Sequence, residues 1–83
     1  MSPIHSITQL GQAIRAARKQ LGLTQSQLAL AAGVGARFIV DLEAGKSTLR
    51  LENVLRGVQA LGGDLTLIGL QTGAEEGRDG TTA

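Results

Sequence analysis

Apolar residues recur at steps of three and four through most of the chain, and the period then changes to a short strand-like run before a polar end. Ile7, Leu10, Ile14, Ala17 and Leu21 make the first stripe, the spacing of one buried helix face. Ser6 stands at its start with Gln9 three residues on, the pattern of a capping box, and Gly22 stands at its end. A second box, Thr24 with Gln27, opens a short helix to about Ala32 that Gly33 stops. Ile39 and Leu42 mark a third helix over about Ala36 to Ala44, stopped by Gly45. Leu51, Val54, Leu55, Val58 and Leu61 share one face of a fourth, which ends at Gly62 and Gly63.

Only Gly33, Val34 and Gly35 remain to join the second and third helices, and two short helices linked by a tight glycine turn form a helix-turn-helix. The run Asp64 to Leu70, with Thr66 and Ile68 among leucines, reads as a strand. No other segment offers that strand a partner. Its expected solution is pairing with the same strand of a second copy, through Leu65, Thr66, Leu67, Ile68 and Leu70, packed on the fourth helix. The expected fold is mainly α: a four- to five-helix domain with one C-terminal β-strand that pairs across a homodimer. Its parts are a flexible arm at 1–5, the helical domain at 6–63, the strand at 64–70, and a disordered acidic tail at 71–83.

Composition removes several classes. A chain of 83 residues buries only about 60% of its unfolded surface and usually needs a further source of stability. Without cysteine there is neither a disulfide nor a thiolate zinc site, and the lone His5 cannot assemble a metal centre, so no metal or cofactor is expected. A second copy is the remaining source. No uninterrupted apolar run is long enough to span a membrane, and no Lys or Arg precedes Arg15 as a secretory signal would require, so a cytoplasmic location is expected. Catalysis is not expected either. The sequence holds no Ser-His-Asp arrangement or paired-carboxylate motif, and the glycines of the 33–35 turn sit between helices, not after a strand as in a phosphate-binding loop.

The segment Gly22, Leu23, Thr24, Gln25, Ser26, Gln27, Leu28, Ala29, then Ala32, Gly33, Val34, then Ile39, Leu42, Glu43, Gly45 and Lys46 resembles the Cro and phage-repressor type of helix-turn-helix domain. Leu51 to Leu55 and Ala60 to Gly62 continue the resemblance, which spans roughly residues 7 to 62. Ile4 to Leu10 and the strand after the fourth helix are, more narrowly, similar to HipB-type antitoxins. That likeness implies a dimer lidded by paired strands, which represses its own operon on double-stranded operator DNA and holds a HipA-like Ser/Thr kinase toxin inactive. A stand-alone repressor with no toxin, or an inhibitor of a partner enzyme with incidental DNA binding, would carry the same helices.

The resemblance also assigns positions. Ala36, Arg37, Val40 and Asp41 fall where base-reading side chains sit. Arg37 is the strong reader among them, since a guanidinium pairs bidentately with guanine O6 and N7; its plain alternative is a solvated arginine or a phosphate contact. Asp41 either accepts from cytosine N4 or orients Arg37. Phe38 either touches a thymine methyl or packs on Leu30. Gln25, beside Thr24 at the start of the second helix, matches a phosphate-bonding position, and Lys46 and Arg50 are placed for phosphates as well. Arg18 and Glu43 match a structural ion pair. The overall charge of +1 hides an asymmetry: residues 1–70 carry seven bases and four acids, while the tail carries one base and three acids.

Overall fold

The computed structural model describes residues 3–66, which form four helices in the order α1 (Ile7–Gln20), α2 (Gln25–Ala32), α3 (Ala36–Glu43) and α4 (Leu51–Ala60). Helices α2 and α3 are the helix-turn-helix; α1 packs on α3, and α4 packs on α2. One core lies between them, built from Ile14, Leu28, Ala29, Ile39, Leu42, Val54 and Val58, with Leu28, Ile39 and Leu42 fully enclosed. Ile7, Leu10, Val34, Phe38, Leu49, Ala60 and Leu61 close its margins.

The helix ends follow local chemistry. Thr24 makes a complete capping box: its hydroxyl accepts from the Gln27 N–H at 3.0 Å while its own N–H donates to the Gln27 side chain at 2.8 Å. Ser6 makes half of one. Its hydroxyl accepts from the Gln9 N–H, but the Gln9 side-chain oxygen takes the N–H of His5, one residue before the cap, so the expected reciprocal bond is absent. All four helices end on a glycine at positive φ, namely Gly22, Gly33, Gly45 and Gly62. At Gly45, with φ of +80°, the chain turns back so that the Gly45 N–H donates to the Leu42 carbonyl and the Lys46 N–H to the Asp41 carbonyl. This pair of bonds is a Schellman motif, and it fixes where Lys46 leaves α3.

Gly11 explains how closely α1 and α3 approach. A Cβ there would strike the Leu42 carbonyl oxygen and lie 2.8 Å from that of Glu43, so only glycine lets α1 settle on the C-terminal end of α3. Periodicity alone did not distinguish this buried glycine from a solvent-facing one.

Three packing expectations need correction, those for Leu21, Leu51 and Leu30. Leu21 and Leu51, assigned to buried stripes, are exposed. Each stands at a helix terminus, outside the core cluster, where the stripe continues in sequence but no element lies opposite. Leu30 is 84% exposed and too open to hold Phe38; with Leu28 and Ala29 turned inward, it falls on the outer side of α2. Phe38 packs on the main core instead. As for the strand, Asp64, Leu65 and Thr66 carry no regular structure in the single chain, and Leu67, Ile68, Leu70 and the tail lie outside the described residues. No helix among the described residues is long and apolar enough to cross a membrane.

Candidate nucleic-acid interface

Helix α3 is amphipathic. It buries Ile39 and Leu42 and half-buries Phe38, which turns Ala36, Arg37 and Val40 to solvent. The Arg37 side chain is 84% exposed, and its Nε lies 3.3 Å from Asp41 Oδ1, one helical turn on. The same carboxylate, 18% exposed, also faces the Lys46 ammonium at 3.7 Å from Oδ2. One acid at the edge of the exposed face therefore holds two cations, one from the first turn of α3 and one from the loop after it. With Nε turned to Asp41, both terminal nitrogens of Arg37 remain free to donate.

A polar pit of about 310 Å³ opens where α1, α2 and α3 meet, lined by Arg15, Arg18, Gln25, Val40, Glu43 and Ala44. At its floor Arg18 and Glu43 form a bidentate pair, Nε to Oε2 at 2.6 Å and Nη2 to Oε1 at 3.0 Å, with side chains only 10% and 4% exposed. Arg18 Nη1 donates further to the Leu23 carbonyl at 2.8 Å, which ties the pair to the turn before α2. Gln25 Nε2 donates to Glu43 Oε1 at 3.2 Å. Burial by itself pushes the Glu43 carboxyl up. The hydrogen bonds from Arg18 and Gln25 and the positive charges of Arg18 and Arg15 outweigh it, and the group is held below the usual carboxylate range. Hydrogen bonding to Glu43 raises Arg18 against its own desolvation.

This pit joins positions the sequence reading treated separately. Val40 and Gln25 line one concavity, and the ion pair beneath them clamps α1 to the C-terminal end of α3. Arg15 was missed as a candidate for the site. Its three-residue spacing from Arg18 puts both on one face of α1, the sequence signal that points to it. Thr24 is exposed at the head of α2, and its hydroxyl, used as an acceptor by the cap, keeps a proton to donate. Arg50 is the N-cap residue of α4 with no side-chain cap bond, and Lys46 is exposed in the loop between.

Two short helices crossing at a glycine turn, the second presenting a solvent-facing polar edge, define a helix-turn-helix unit. Residues 14–68 match the helix-turn-helix family model HTH_3, and the chain belongs to this XRE-type family of DNA-binding transcription regulators. It is 48% identical over 59 residues to the HTH-type transcriptional regulator y4mF of Sinorhizobium fredii, covering 71% of this chain and 78% of that protein. Among solved structures it is similar to HipB in a HipA-HipB-O2-O3 complex, at 31% identity and a TM-score of 0.77 over 86% of this chain and all of the other. A HipB-O4 20mer complex gives 31% identity and a TM-score of 0.78, with the same coverage. A toxin-antitoxin module from Streptococcus pneumoniae gives 28% identity and a TM-score of 0.66, over 78% of this chain and 71% of the other.

Proposed function

We propose that this chain is a sequence-specific repressor of its own operon that also acts as an antitoxin, binding a palindromic operator as a homodimer and neutralising a HipA-like Ser/Thr kinase in the cytoplasm. The observation that carries the DNA-binding part is the α3 face, where Arg37 stands free of the core with both terminal nitrogens open and the backbone turn after α3 puts Lys46 beside it. In this reading α3 lies in the major groove. Arg37 reads a guanine, while Ala36 and Val40 bring the backbone close and offer apolar contact to a thymine methyl. Gln25, Thr24, Lys46 and Arg50 hold phosphates on either side. Arg50 is a poor choice for capping a helix and its charge opposes the dipole there, so phosphate binding gives it a role that stability does not.

Dimerisation through the 64–70 segment sets the spacing of two α3 helices, about one turn of duplex apart. Residues 1–70 carry a net +3, so this part of two copies brings +6 to the DNA. Likeness to HipB over 86% of the chain supports the antitoxin reading, because one of those structures contains HipA as well. A stand-alone repressor shares every feature of α1 to α4. Co-purification of the chain with the product of the adjacent reading frame, followed by footprinting upstream of the operon, separates the two. Recovery of a kinase-like partner and a protected palindrome is expected; a protected palindrome with no partner leaves the stand-alone repressor, and no protected site removes both.

A further inference from the structure

The Asp41 carboxylate occupies a position where an acid is costly for DNA binding: on the groove-facing helix, between the two cations best placed to meet the duplex. Its place is not incidental. The Schellman turn at Gly45 brings the Lys46 N–H onto the Asp41 carbonyl at 3.0 Å, which sets the Lys46 side chain to reach back to Asp41 Oδ2. Arg37 reaches the other oxygen from one turn earlier. Two charges that would otherwise engage any phosphate backbone are thus paired within the free protein. The Arg37 guanidinium, still exposed, approaches Asp41 through Nε, and among the described residues its terminal nitrogens make no hydrogen bond.

We propose that Asp41 is a specificity-determining positioning residue of the interface: it restrains Arg37 and Lys46 against indiscriminate phosphate contacts and presents Arg37 for bidentate reading of guanine. The inference rests on the DNA-binding reading above and deepens it. On random duplex the Asp41 carboxylate offsets the charge of both cations and repels the phosphates they approach, which weakens non-specific binding. On the correct site Arg37 keeps its Asp41 contact and uses its free nitrogens, so the orientation is retained. Specificity comes from what Asp41 withholds as much as from what Arg37 gains.

The test uses the full chain and two duplexes of equal length, one selected by the wild-type protein from a random pool and one of scrambled sequence. Binding is titrated across salt for wild type, Asp41→Asn and Asp41→Glu, with thermal melts showing that each is folded. For Asp41→Asn, scrambled-duplex affinity is expected to rise about tenfold, the worth of two released surface ion pairs, and its salt dependence to steepen by about one phosphate contact. Affinity for the selected site rises less or falls, so the ratio between the two duplexes shrinks. Asp41→Glu restores part of that ratio.

Unchanged scrambled-duplex affinity and salt slope in Asp41→Asn would overturn the proposal. So would a loss confined to the selected duplex without rescue by Asp41→Glu, which would make Asp41 a direct reader. A wild-type chain that enriches no sequence and binds neither duplex overturns the DNA-binding reading itself, and this one with it.

Discussion

Removing either half of the Arg18–Glu43 pair is expected to cost more than removing both. In Arg18→Ala, the Glu43 carboxylate, only 4% exposed, is left with the single Gln25 bond at 3.2 Å. In Glu43→Ala, the guanidinium is left with the Leu23 carbonyl alone. Stranding a buried charge costs about 3–5 kcal/mol. The pair also lines the pit, where water reaches its edge, so the low end, about 3 kcal/mol, applies to each single variant. In a domain of this size that is a fall in Tm of roughly 12 °C or more. The double variant strands nothing and loses chiefly the packing of two side-chain stems, so it is expected to melt above both single variants. Thermal and urea melts of the four proteins are expected to give a coupling of about 3 kcal/mol or more. A double variant whose loss equals the sum of the singles within about 0.5 kcal/mol would refute the reasoning.

The same pair sets a pH dependence. Glu43 is held below its ordinary value when folded, so the unfolded chain binds the proton more tightly, and stability is full above the ordinary glutamate range and lost as pH falls below it. Urea midpoints that decline through that acid window in the wild type, with a shallower decline in Glu43→Gln, are the expected result; parallel profiles would remove Glu43 as the source. Gly11→Ala places a methyl against the α3 carbonyls and is expected to destabilise by about 1–3 kcal/mol, an effect a melt reads directly. Thr24→Ala breaks the capping box of α2 and is expected to cost about 1 kcal/mol, while Thr24→Ser should cost little.

Most of the helical fold was legible because its signals are local. The Thr24 and Gln27 box, the glycine stops and the three-four spacing each act within one or two turns, and α1 to α4 fall within a few residues of the expected bounds. What was not legible depends on the element opposite. Leu21 and Leu51 continue their stripes in sequence, but burial requires a facing surface that helix ends lack. Gly11 gave no turn signal, since its role appears only where α3 lies across it. Arg18 and Glu43 stand 25 residues apart, and no periodicity relates them; the expectation of their contact came from the resemblance alone. At the candidate site, the expectation for Arg37 came from the resemblance and from the chemistry of its guanidinium. The double engagement of Asp41 had no such signal, because Lys46 reaches it only through the backbone reversal at Gly45.

The central claim is that α3 reads DNA sequence through Arg37. Its most direct measurement is a titration of wild type, Arg37→Ala and Lys46→Ala against the selected duplex and the same duplex with single base-pair changes. Arg37→Ala is expected to lose about 1–3 kcal/mol on the selected duplex and to stop discriminating at one G·C pair. Lys46→Ala is expected to weaken all duplexes alike and to lower the salt slope by about 1. Binding by Arg37→Ala that retains wild-type affinity and discrimination at every base pair would contradict the account.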